Sequence, residues 1–142
     1  MYNPFEELNF VGIHDAGVAN LERVVLQANR SVELANYMVV AALRGHGQSA
    51  IPLPDNSIWL GNLTVSPGDW IYIYTSPGQG QVTPLPNSSN QMVSLYWGKS
   101  HTMFQAAHLT AALVKINKVQ YPTFSPHLTL GTQQLGYSGH SL

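Results

Sequence analysis

Two tripeptides of one kind lie toward the end of the chain, His108-Leu109-Thr110 and His127-Leu128-Thr129. Histidine changes charge near neutral pH, so two converging imidazoles can divide the roles of general acid and general base. That division requires elements that bring both rings into one cleft. The six histidines are also potential metal ligands, and His101 stands seven residues before His108. There is no H-x-x-x-H pair, however, and no Asp or Glu follows Asp69, so orienting carboxylates would have to come from earlier in the chain. Isolated surface histidines are the simpler reading, and we expect no metal and no cofactor. Cysteine is absent, which removes thiolate nucleophiles, disulfides and sulfur-ligated metals. No G-x-S-x-G occurs, and His14-Asp15 has no recognisable nucleophile beside it. Gly78-Gln79-Gly80 is followed by neither a helix pattern nor a lysine, which makes it a turn and not a phosphate cradle.

The second tripeptide, in its setting PHLTLG, resembles locally the two-histidine phosphoesterases. That resemblance implies His108 and His127 as acid and base, with Thr110 and Thr129 holding a phosphate. The family sets its two copies several elements apart, on the halves of a pseudo-symmetric domain, whereas here nineteen residues separate them. Basic residues around a phosphate are missing as well. A small hydrolase is therefore the alternative expectation. The leading one is a non-enzymatic interaction module that binds a protein partner or a copy of itself through loops or sheet edges.

Composition bounds the scaffold. A chain of 142 residues with 44% hydrophobic content is one domain with one core. Charged residues make up 9%, against about a quarter in an ordinary domain. Six Lys/Arg and seven Asp/Glu leave a net charge of −1. No basic stripe can release counterions from a phosphate backbone, and no polybasic segment can meet an anionic bilayer, so neither nucleic acid nor membrane is an expected partner. The N-terminal residues MYNPFEELNFVG lack a basic n-region and a long apolar run, so a cytoplasmic location is expected. So little charge gives weak colloidal repulsion and favours self-association.

The elements that would position any site are strands. Residues 69–75 alternate, with Trp70, Tyr72 and Tyr74 on one side and Ile71 and Ile73 on the other, between Pro67-Gly68 and Pro77-Gly78 turns. Residues 91–97 repeat the pattern: Val93, Leu95 and Trp97 alternate with Met92, Ser94 and Tyr96. Residues 57–60 form a shorter run, and QGQVTPLPNSSN between the two main strands reads as a polar loop whose prolines cannot continue a ladder. Residues 20–44 carry two readings. Leu21, Val25, Ala28, Val32, Ala35, Val39 and Ala42 form a heptad stripe for one helix, while Val24-Val25 and Val39-Val40 favour two strands, 22–27 and one within 36–43.

A family resemblance favours the strands. From Glu22 to about Val119 the chain resembles lamin-tail-type immunoglobulin-like sandwiches of small stand-alone bacterial or phage proteins. The pieces that carry it are ERVVLQANRSVELANYMVV, SIWLGN, PGDWIYIYT with its following glycine, SLYWG, HTMF and LTAALVKIN, with Tyr37 and Phe104 where such domains usually carry tryptophan. It implies an all-β, two-sheet sandwich over residues 21–120 that docks partners and shares no catalytic residues. Residues 1–20 would be an arm, and residues 121–142 a tail packed on the domain or a neighbour. On this reading Trp70, Tyr72 and Tyr74 face inward and pack between the sheets. The alternative is that they form an exposed stacking face, with Tyr96 and Trp97 as the further binding candidates.

Overall fold

Alternation in residues 70–74 becomes the strand beside which the larger sheet assembles. The computed structural model describes residues 5–47 and 49–123. Ten strands follow in chain order: β1 (Leu8–His14), β2 (Arg23–Ala28), β3 (Val32–Glu33), β4 (Tyr37–Arg44), β5 (Ala50–Trp59), β6 (Thr64–Val65), β7 (Trp70–Tyr74), β8 (Gln81–Pro84), β9 (Gln91–Tyr96) and β10 (Leu109–Lys115). The helical structure among the described residues is a 3₁₀ turn, Leu34–Asn36. The fold is all-β, as the sequence implied. The heptad stripe breaks up across β2, β3, the 3₁₀ turn and β4; paired β-branched residues suit a pleated surface, and Val24, Val25 and Leu26 of β2 are all buried.

A five-stranded sheet runs β1-β2-β7-β9-β8, a three-stranded sheet runs β10-β4-β5, and β3 pairs with β6. Neighbours in the five-stranded sheet are antiparallel except β7 and β9, which are parallel because β9 inserts between β7 and β8. The link after β7 therefore crosses the end of β9. There Trp97 N–H donates to Tyr74 O and Lys99 N–H to Thr75 O, at 2.8 Å each. Gly78 lies against the Tyr96 ring, which a Cβ would approach within 2.4 Å, so that crossing requires a glycine.

Three segments differ from expectation. The short run 57–60 is the end of a longer strand, β5, which continues back through Pro54-Asp55-Asn56. Gln81–Pro84, read as loop, is the edge strand β8, with Pro84 at its end where a missing N–H is tolerated. Within residues 1–20, expected as an arm, Leu8–His14 is the edge strand β1. Leu8 and Phe10 share one parity and Ile13 the other. A register shift between Phe10 and Gly12 restores the phase, so that all three pack on the core.

The two larger sheets share that core and form a sandwich. Leu8, Val24, Leu26, Ile71, Ile73 and Val93 come from one sheet; Tyr37, Val39, Ala41 and Ala111 come from the other. Burying each larger aliphatic side chain contributes about 1.5–3 kcal/mol. Tyr37 is the largest fully buried side chain. Its hydroxyl donates to Glu7, which Lys115 also approaches at 2.7 Å. Lys115 and then Tyr37 hold the Glu7 carboxyl below its ordinary value, and burial pushes the Tyr37 phenol well above its own. Phe104, like Tyr37, is buried in this core.

Candidate functional site

The aromatic residues of β7 face the opposite way from the inward packing expected of them. Ile71 and Ile73 are 0% exposed and lie in the core, while Trp70, Tyr72 and Tyr74 are half-buried on the outer side of the five-stranded sheet. The neighbouring strands explain the inversion. Ile71 pairs with Leu26 and Val93, and Ile73 with Val24 and Leu95, so that parity is aliphatic across three strands. The other parity sets Trp70 beside Gln27 and Met92, Tyr72 beside Val25 and Ser94, and Tyr74 beside Arg23 and Tyr96. Placing that polar-containing face inward would bury a guanidinium, an amide and several hydroxyls, which is unfavourable without partners. Arg23 and Gln27, alternating with Val24 and Leu26, were the signal in the sequence.

The outer rings form a continuous cluster. Trp70 and Tyr72 meet edge to face at 6.3 Å, as do Tyr72 and Tyr74 at 6.4 Å. Tyr74 stacks on Tyr96 at 5.2 Å with planes 15° apart. Arg23 lies over this layer, its Cζ 5.3 Å from the Tyr72 ring centre and 5.9 Å from that of Tyr74. These are cation–π distances. Its Nη1 donates to Asp15 Oδ2 and Leu21 O, both at 2.7 Å. Val25 and Ser94, on the same face, are buried. Burial raises the Tyr74 phenol above its ordinary value, partly opposed by Arg23. Four of the five binding candidates, Trp70, Tyr72, Tyr74 and Tyr96, are thus brought together. Trp97 is not one of them: it packs against the core, 6.2 Å from Phe104. Arg23 is the member that sequence reasoning missed.

Two buried carboxylates hold the loops at the ends of this face. Glu22 Oε1 accepts from Thr75 Oγ1 at 2.8 Å and Met103 N–H at 2.6 Å; Oε2 accepts from Gly17 N–H at 2.8 Å and Phe104 N–H at 3.0 Å. Burial raises the Glu22 carboxyl, but these bonds outweigh it and hold the group below its ordinary value. Asp69 accepts from Ser66 N–H, Gln91 N–H and Asn90 Nδ2, tying the turn before β7 to the turn before β9. Both groups are buried carboxylates that act as clips, Glu22 accepting four hydrogen bonds and Asp69 three.

Compared with known proteins, the chain matches no family model, no curated protein and no solved structure.

The remaining candidates do not join the aromatic face. His108 is exposed ahead of β10, and Thr110 lies on β10 opposite Ala42, in the other sheet. His127 and Thr129 lie outside the described residues, as does most of the segment 121–142 expected to pack on the domain. Among the described residues no three His, Asp or Glu side chains group as metal ligands, and no helix is long and apolar enough to cross a membrane.

One substitution tests the turn that sets up the face. Gly68 has φ +90°, and a Cβ there would meet the Asn90 side chain at 2.8 Å, the same side chain that bonds Pro67 O and Asp69. Gly68→Ala is expected to lower unfolding free energy by more than about 1 kcal/mol in urea titration. An unchanged midpoint would mean that the turn relaxes freely.

Proposed function

We propose that this chain is a lamin-tail-like, non-enzymatic interaction module of the cytoplasm that binds a protein partner through the outer aromatic face of its five-stranded sheet. The observation that carries this is the cluster of Trp70, Tyr72, Tyr74 and Tyr96 with Arg23 above it. Trp, Tyr and Arg are the residue types that dominate binding energy at protein interfaces. Here the rings hold one another in place, so little side-chain freedom is lost when a partner binds. A neutral rim of Gln27, Gln81 and Thr83 shares the face by register. The sequence resemblance to docking domains points the same way.

The face is a better docking surface than two of the four sheet edges, β5 and β8. Pro52 and Pro54 interrupt the edge strand β5, and Pro84 ends the four-residue edge strand β8. Proline removes the N–H that an added strand would need.

The test is to cross-link the full chain in its native cell, identify the partner, and measure its affinity for purified variants. Trp70→Ala and Tyr74→Ala should each weaken binding about 30-fold, the size of a hot-spot loss, with circular dichroism unchanged. Affinities that stay at the wild-type value for both variants would overturn the assignment of the face. Turnover of cyclic phosphodiesters that disappears with His108→Ala would overturn the non-enzymatic reading.

A further inference from the structure

The polar atoms of the aromatic face limit what can lie on it. Among the described residues, the Trp70 indole N–H and the hydroxyls of Tyr72, Tyr74 and Tyr96 make no hydrogen bond. Among the same residues, Arg23 Nε is the sole side-chain nitrogen or oxygen that is both buried and without a partner, so these four donors reach the surface. β7 is bonded on both flanks, to β2 and β9, so its backbone has nothing to offer a partner. Charge on the face is already paired: Arg23 meets Asp15 at 2.7 Å, Gln27, Met92 and Ser94 beside the rings are neutral, and His14 stands at the rim.

We infer that the segment held on this face is a proline-rich stretch of a partner protein in the polyproline II conformation. This partner class presupposes the docking face proposed above. On the face of a sheet no ladder can form, so a bound backbone is satisfied by side chains alone. The indole and the guanidinium donate and cannot accept. An ordinary extended peptide would press N–H groups as well as carbonyls onto this surface, and donors that lose water without finding an acceptor are unfavourable. Proline has a carbonyl and no N–H, so a proline-rich stretch brings mainly acceptors. Its backbone is extended and stiff before it binds, so little freedom is lost. Rings turned 78° and 66° to one another make an uneven aromatic wall, and aromatic-lined grooves are where such segments dock. Trp70 and Tyr74 are the two ends of β7. At about 3.4 Å per strand residue and about 3.1 Å per polyproline residue, about five residues cover the row.

A sugar is less well served. Stacking one needs a ring lying open, whereas Tyr74 and Tyr96 stack on each other with planes 15° apart and Arg23 lies over Tyr72 and Tyr74. An acidic segment would meet a guanidinium already engaged by Asp15.

Titrating the isotope-labelled full chain with decaproline, followed by nuclear magnetic resonance, tests the partner class. Saturable shifts are expected at the Trp70 indole N–H and the amides of β2, β7 and β9, and none with a glycine–serine peptide of the same length. Trp70→Phe keeps a ring and removes the donor, and should weaken binding about tenfold. No saturable shift with decaproline, equal binding of the glycine–serine peptide, or a Trp70→Phe chain that binds like the wild type would overturn the inference. Saturation by maltohexaose in place of decaproline would overturn it as well. If Trp70→Phe fails to fold, the wild type decides: shifts confined to any other surface overturn it. The two readings fail separately. Should decaproline not bind while Trp70→Ala and Tyr74→Ala still weaken the cross-linked partner, the docking face stands and the proline-rich class alone falls.

Discussion

Glu22→Ala is expected to destabilise the protein by about 3 kcal/mol, because it strands one buried and two part-buried backbone N–H groups at roughly 1–3 kcal/mol for each one left without a partner. Those donors belong to Gly17, Met103 and Phe104, and Thr75 loses its hydroxyl acceptor at the same time. One carboxylate thus joins the β1–β2 loop, the end of β7 and the link after β9. In a domain stable by about 5–15 kcal/mol, the loss should lower the melting temperature by roughly 10 °C or more. Glu22→Gln does not rescue it. Each carboxylate oxygen accepts from at least one backbone N–H, so in either orientation the amide NH₂ points at a donor.

The same group sets the acid sensitivity. The folded-state pKa of Glu22 is depressed, so its contribution is fully present above the ordinary value of 4.5 and is lost as pH falls through the lower folded-state value. Asp69 and Glu7 act in the same direction. Stability followed by urea titration should therefore be flat near neutrality and fall as the medium becomes acidic below 4.5. Glu22→Gln should flatten part of that fall. A variant with the same slope and the same midpoint as the wild type would rule out the clip.

Ile73→Ala should destabilise by about 2–5 kcal/mol, the usual result of opening a cavity in a packed core. Ile73 is 0% exposed and packs with Val24, Leu26 and Ile71 in the shared core. Tyr72→Thr, one residue away, should lose about 1–2 kcal/mol, since a half-buried ring removes less area from water and threonine keeps the preference for a strand. Its effect should appear instead in partner affinity. Equal destabilisation by the two substitutions, read from denaturant midpoints, would mean that the aromatic side of β7 is as deeply packed as the aliphatic side. The outward docking face would then be untenable.

What could be read from residues alone was the class of fold and most of its strands. Residues 70–74 and 91–96 alternate with period two between proline–glycine turns, a local pattern that needs no knowledge of neighbours. The strands at residues 23–28 and 37–44 were not settled by the residues alone: β-branched pairs favoured them, a heptad stripe favoured one helix, and it was the family resemblance that tipped the reading. The low charge and absent cysteine removed whole classes of chemistry. Short edge strands were harder to see. Gln81–Pro84 is too brief and too polar to alternate visibly, and β1 keeps its apolar face only through a bulge.

Which side of each strand faces the core was decided only by tertiary structure. A strand such as WIYIY is apolar on both sides, so its own alternation marks two faces without ranking them. Register ranks them. Arg23 and Gln27 arrive beside the rings, Val24 and Leu26 beside the isoleucines, and desolvating the first set is the more unfavourable choice. Burial belongs to a set of neighbours brought together from distant parts of the chain, and no single stretch contains that information.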